Sequence, residues 1–261
     1  MKEILLFELR ENIRSKWIFL FSGILALGVG IVNYFGDENS TRTIASLTNV
    51  ILLVVPLFSI TFSGLVFVES LPFAELLLSK SVSRTSYFLG KYLGISLSLL
   101  IGLVVGIGIP GILSFYSDLR FLLLFCELIG FGGVLIFIFV SLAFLLATFL
   151  KRGEWIVSGA LFIWLYFFIF FDSVVFVLSL YLGEYPIEVP SIVIILLNPI
   201  DLIRILMILQ TKTSVLLGFS GAFLLNSLGP YLLVCLCVLF LSGWIALPLW
   251  IAYERFLKRN F

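Results

Sequence analysis

Phe121-Leu-Leu-Leu-Phe-Cys-Glu-Leu-Ile-Gly-Phe-Gly-Gly-Val-Leu-Ile-Phe-Ile-Phe-Val-Ser-Leu-Ala-Phe-Leu-Leu-Ala-Thr-Phe-Leu150 runs for thirty residues with Glu127 as its single charge. A strand is rarely so long, and a buried soluble helix rarely lacks a polar face. At 1.5 Å per residue the run reaches about 45 Å as a helix, more than the roughly 30 Å hydrocarbon core of a bilayer. It reads as a membrane-spanning helix. Five more runs meet the same test: Trp17–Phe35, Ala45–Val68, Tyr92–Tyr116, Trp155–Leu182 and Pro230–Tyr253. Several exceed the minimum length, so tilt or extension past the lipid is expected. The whole chain agrees: 62% of its 261 residues are hydrophobic and 12% charged, with a mean hydropathy of +1.24. Soluble domains carry about 25% charged residues. The fold class expected is an all-α polytopic membrane protein, one transmembrane domain over residues 1–261.

Lys and Arg sit mainly on the cytoplasmic side of such proteins. With the N-terminus placed there, that side holds Lys2, Arg10, Arg14, Lys16, Lys80, Arg84, Lys91, Lys151, Arg152, Arg255, Lys258 and Arg259. The outer side holds Arg42, Arg120, Arg204 and Lys212. Both termini are therefore expected in the cytoplasm. No cleavable signal peptide is expected, because the first apolar run is long enough to span and no small-residue cleavage site follows it.

Residues 1–16 read as an interfacial helix. Leu5, Leu6, Leu9, Ile13 and Trp17 make an apolar stripe, with Lys2, Glu8, Glu11, Arg14 and Lys16 mostly elsewhere. Such a helix either anchors the chain or transmits force from a cytoplasmic partner. The cytoplasmic loop 69–91 contains a short helix: Pro72 suits its first turn, and Glu75 and Lys80 suit its dipole. Ser83 is placed to cap the helix leading into the third span. On the outer side, residues 183–229 form a long segment between spans five and six. Pro190–Leu209 within it is apolar but broken at Asn198-Pro199. It reads as two short re-entrant helices, since a seventh crossing would carry Arg255, Lys258 and Arg259 outside.

Chemistry is limited by what is missing. There is no histidine and no G-x-x-x-x-G-K-[ST] phosphate loop. His-based metal sites and Ser-His-Asp or Cys-His catalysis are excluded. Nucleic-acid binding has no support, for want of a basic patch. Cys235 and Cys237 are i,i+2 and point about 200° apart on a helix, so a shared metal is not expected. No catalytic or metal-ligating residue is assigned. Glu127 and Asp172 are intramembrane acids, read either as gate, proton or subunit-contact residues or as buried carboxyls satisfied by neighbours. Asn198, Pro199, Asp201 and Arg204 form either a contact for an outer partner or gate, or an i,i+3 pairing at a helix start. Gly102-x-x-x-Gly106 and Gly130-Phe-Gly-Gly133 mark close helix approaches.

The loop Pro72-Phe-Ala-Glu-Leu-Leu-Leu-Ser-Lys-Ser-Val-Ser-Arg84, followed by Gly90-Lys91, resembles the coupling segment of ABC-2 type transporter permeases. There the pattern is G-T-L-E-L-L-L-S-x-P-V-S-R, then G-K. Pro72 and Phe73 replace the Gly-Thr, and Ser81 replaces the Pro. The resemblance extends over nearly the whole chain and implies a type V exporter-like fold. Thr43-Ile-Ala-Ser-Leu47, Phe171-Asp172, Asn198-Pro-Ile-Asp-Leu-Ile-Arg204 and Leu247-Pro-Leu-Trp-Ile-Ala-Tyr253 are similar to the subgroup serving copper-site maturation of nitrous oxide reductase.

The resemblance implies a homodimer in a bacterial inner membrane. Each copy would dock a separate ABC ATPase, which holds ATP and Mg, through Glu69, Glu75, Lys80, Arg84 and Lys91. The motion would pass to a periplasmic β-helix protein. The chain itself would be neither an enzyme nor a cofactor carrier. Two other readings stand beside this one: an ABC-2 exporter of a lipid, peptide or drug, and an intramembrane scaffold or enzyme without an ATPase.

Overall fold

The computed structural model describes residues 1–35, 40–79, 82–115, 119–150, 152–171, 173, 174, 177, 196–211 and 229–258. Among them the chain is helical, with no strand. The helices are α1 (Lys2–Ile13), α2 (Lys16–Phe35), α3 (Ser40–Glu69), α4 (Leu71–Leu78), α5 (Arg84–Leu103), α6 (Ile109–Phe115), α7 (Leu119–Phe149), α8 (Gly153–Leu165), α9 (Pro199–Thr211) and α10 (Pro230–Leu257). A π-helical turn, Val104–Gly108, joins α5 to α6, and another, Tyr166–Phe170, extends α8. Pro110 has no N–H to give to the carbonyl of Gly106, which breaks the α ladder where the first π turn sits.

Among the described residues six helical stretches are long and apolar enough to cross a membrane: Lys16–Phe35, Thr43–Glu69, Arg84–Ser114, Leu122–Phe149, Gly153–Phe170 and Tyr231–Leu257. The chain is a multi-pass membrane protein. The third stretch begins at Arg84 rather than Tyr92 because Ser83 caps it, accepting from the Ser86 N–H at 3.3 Å. The second, third and fourth are more than half buried and form the centre; the first, fifth and sixth are about a fifth buried and lie at its sides.

Helices alternate in direction, so one end of the bundle collects α1, α4, the α7–α8 junction and the end of α10. Arg84 Nη1 donates to the carbonyl of Leu257, a carbonyl left open by the end of α10. Arg255 stacks over the Phe149 ring at 3.8 Å. Behind these contacts Phe67, Tyr87, Phe88, Phe144 and Phe256 form a buried aromatic cluster, with Phe67 and Phe144 centroids 4.6 Å apart. At the opposite end Asn33 Nδ2 donates to Ser114 Oγ at 3.0 Å.

Helices approach closely through glycine and hydrogen-bond to one another's backbone carbonyls. A Cβ at Gly106 would lie 2.7 Å from the Ser22 carbonyl oxygen, and one at Gly102 3.0 Å from Phe21. Ser22 Oγ uses this closeness to donate to the Gly102 carbonyl at 2.9 Å. The Gly102-x-x-x-Gly106 face is thus occupied within the chain by α2. Of the second glycine group, Gly132 and Gly133 meet Leu103 and Leu100, while Gly130 meets nothing within 4 Å. Tyr92 Oη donates to the Phe137 carbonyl at 3.1 Å and Trp164 Nε1 to the Leu53 carbonyl at 3.1 Å. Away from water each such bond fixes two helices in register, although net gains in membranes are modest, of order 1 kcal/mol.

The contact face of α1 differs from the stripe read in the sequence. Glu8 and Asn12 are its buried residues, whereas Leu6, Phe7 and Trp17 are exposed. The reason is a groove on α5. A Cβ at Gly94 would sit 2.6 Å from Glu8 Cβ, and one at Gly90 3.1 Å from Ile4 Cγ2. The two glycines let α1 lie against α5 through Ile4, Glu8 and Asn12, which are four apart and share one face.

Candidate functional site

Two clusters gather the residues singled out in the sequence. The first lies at the α1–α4 end. Helix α4 starts with proline in its first turn. It packs Leu71 and Ala74 inward, leaving Pro72, Phe73, Glu75, Leu76 and Ser79 exposed. Phe73 stacks on Phe7 of α1, centroids 6.0 Å apart. Glu69 is exposed just before α4. Arg84, partly buried, is turned to the end of α10. Lys80 lies outside the described residues.

Lys91 is not at this surface. Its side chain is 2% exposed and its Nζ donates to Glu8 Oε1 at 2.7 Å; Glu8 is 3% exposed. A surface contact with an ATPase, as the resemblance implied, is therefore corrected to an internal ion pair between α1 and α5. The cause is geometric: Gly90 and Gly94 bracket Lys91 and bring α1 close enough for Glu8 to reach it. The pairing escapes sequence reading because the partners are 83 residues apart. A lone lysine inside an apolar helix, between two glycines four apart, was the available signal.

The second cluster surrounds the start of α9. Asn198 is fully buried and its side chain makes three hydrogen bonds. Nδ2 donates to the Phe167 carbonyl at 2.9 Å and to Asp201 Oδ2 at 2.7 Å, and Oδ1 accepts from the Ile200 N–H at 3.0 Å. Asp201 is buried and pairs with Arg204 at 2.8 Å. Pro199 opens the helix, where an N–H is not needed. Phe167 belongs to the π turn of the fifth span. The Asn-Pro-x-Asp motif is thus a helix cap whose spare donor grips that turn. Residues 183–195 and 212–228, which hold the rest of the expected re-entrant pair, lie outside the described residues.

Of the two intramembrane acids, Glu127 has one carboxyl oxygen enclosed without a hydrogen-bond partner. Asp172 lies outside the described residues. Cys237 is buried and Cys235 exposed, so they face opposite ways. Among the described residues no three His, Cys, Asp or Glu side chains converge as a metal site would require.

Residues 73–261, from α4 to the end of the chain, match the family described as ABC-2 family transporter protein. The chain belongs to this family. The permease is also similar to two curated relatives, both named probable ABC transporter permease protein NosY. The one from Stutzerimonas stutzeri is 27% identical, over 97% of this chain and 96% of the relative. The one from Pseudomonas aeruginosa is 28% identical, over 76% of this chain and 78% of the relative. The permease is accordingly the transmembrane subunit of an ABC transporter.

Proposed function

We propose that the permease is the membrane lever of a NosY-type assembly. A second copy completes the membrane part. A NosF-like ATPase, carrying ATP and Mg, docks on the cytoplasmic face. A NosD-like β-helix protein receives the motion in the periplasm, in service of copper-site maturation of nitrous oxide reductase. The α1–α4 end is cytoplasmic in this reading, and the membrane is the inner one.

The observation that carries it is α4. This two-turn helix buries one side and offers Phe73, Glu75 and Leu76 on the other, an apolar patch with a carboxylate beside it. Its flanks are fixed: Tyr87 Oη donates to Ser70 Oγ at 3.3 Å, and Arg84 and Thr85 hold the end of α10, Thr85 Oγ1 lying 2.7 Å from Tyr253 Oη. A push on α4 therefore reaches three spans directly. The asymmetric similarity supports the same reading: the family match begins at Phe73, and the NosY relatives align along most of the chain.

Nitrous oxide reductase isolated from cells lacking this chain should be depleted of copper and recover it when the chain is restored. Fully copper-loaded enzyme from the deletion strain would refute the copper role while leaving the transporter subunit assignment intact.

A further inference from the structure

Three serine hydroxyls at the centre of the bundle have no hydrogen-bond partner among the described residues: Ser59 and Ser63 of α3 and Ser96 of α5. All three residues are fully buried. Neighbours in the same helices take the local solution and donate to the carbonyl four residues back. Thr48 donates to Ile44 at 2.8 Å and Thr61 to Leu57 at 2.7 Å in α3, and Ser98 donates to Gly94 at 2.8 Å in α5. Ser59, Ser63 and Ser96 do not, although buried hydroxyls are nearly always bonded to something.

Register brings the three into one layer. Helices α3 and α5 run antiparallel and meet at two levels. Near the α4 end the Phe67 and Phe88 centroids lie 6.3 Å apart. Further along, a Cβ at Gly132 of α7 would meet both Leu103, at 3.0 Å, and Ile51, at 3.5 Å. Ser59 is eight residues from Phe67 and eight from Ile51; Ser96 is eight from Phe88 and seven from Leu103. The two serines therefore stand at the same level, midway between the meeting points, on the i,i+4 rows that carry those contacts. Ser63 is one turn away, level with Tyr92, whose Oη donates to the Phe137 carbonyl of α7 at 3.1 Å. The bulky pairs on either side set the separation of the helices, and two serines facing one another across it are too short to meet.

We propose that this layer is a binding site for ordered internal water. One molecule bridges Ser59 Oγ and Ser96 Oγ, and Ser63 Oγ completes the set of about three hydrogen bonds that buried waters usually make. Helices α3 and α5 are the two spans that α4 connects, so the water joins them midway along their length. The site does not depend on which ATPase or outer partner the permease serves.

A density map of the full-length permease in nanodiscs, at a resolution that shows ordered water, should hold a peak within hydrogen-bonding distance of both Ser59 Oγ and Ser96 Oγ. A map with no peak there, and with the hydroxyls turned to the carbonyls of Val55, Ser59 and Tyr92, would overturn the proposal. A double-mutant cycle reads the same site by thermal unfolding. Ser59→Ala and Ser96→Ala should each lower the midpoint by about 2–4 °C. The double variant should fall by less than the sum, because either substitution alone already releases the water. Hydroxyls without a water would give the opposite sign, since removing a buried unpaired hydroxyl leaves stability unchanged or raises it. Serines bonded separately to their own helices would give effects that simply add. Either of those results would also overturn the proposal.

Discussion

Lys91→Met is expected to destabilise the permease by about 3–5 kcal/mol, the usual consequence of leaving one member of a buried ion pair without its partner. Glu8 is then left without its cation at 3% exposure, with α1 still held against α5 by Gly90 and Gly94. Glu8→Met should act similarly, by stranding Lys91. The double variant, Glu8→Met with Lys91→Met, should recover most of the loss, because a buried pair replaced by apolar groups of similar volume is often neutral or stabilising. Thermal unfolding in nanodiscs measures all three. Single variants as stable as the parent, or a double variant as damaged as the sum of the singles, would show that the pair does not hold α1 in place. The expected non-additivity makes this a double-mutant cycle across the α1–α5 contact.

Asn198→Ala is the second large effect. The substitution removes the donor to the Phe167 carbonyl, the acceptor for the Ile200 N–H and one donor to Asp201. Each buried group left unpaired costs about 1–3 kcal/mol, so a total near 3 kcal/mol or more is expected. Asn198→Asp should not rescue it, because a carboxylate can still cap Ile200 but cannot donate to Phe167, and it would face Asp201. Pro199→Ala, one residue on, should change stability by less than about 1 kcal/mol, since proline there contributes mainly by limiting the unfolded chain. Limited proteolysis of the α9 region alongside thermal unfolding separates local release of α9 from global loss. Equal effects at Asn198 and Pro199 would mean the side-chain network is incidental to how α9 is held.

The contrast between these sites and the spans explains what the sequence shows. The six crossings are legible because each is a local property: an apolar run long enough to span needs no partner to be recognised. Helix α4 is legible for a similar reason, as Pro72 starts it and Ser83 caps α5 directly after it. Pairings are a different matter. Glu8 on an amphipathic helix reads as solvent-facing, and only the groove made by Gly90 and Gly94, some 80 residues on, turns it inward. Likewise Asn198-Pro199 announces a helix start, but nothing in Tyr166–Phe170 signals a π turn with a carbonyl to offer. The same limit moved Lys91 from the expected docking surface to the interior. Composition places charges on one side of the membrane, while the direction in which each points depends on the neighbouring helix.

These contacts describe how α4 is connected to the rest. Through Phe73 it touches α1, through Ser70 and Tyr87 it is tied to α5, and through Arg84 and Thr85 its following loop holds α10. The α1–α5 ion pair makes α1 part of the same body. At the far end, Asn198 joins α9 to the π turn of span five. The lever proposed above needs this: a grip at one end, stiff joints between helices, and an attachment at the other end.

The grip proposed for α4 is tested by co-purifying the chain with a co-expressed NosF-like ABC ATPase, comparing the parent with Phe73→Glu combined with Leu76→Glu. Both side chains are exposed, so the fold should survive, as unchanged thermal unfolding would verify. The account predicts that the parent retains the ATPase in stoichiometric amount and the variant loses it; a folded variant that still retains the ATPase would contradict it.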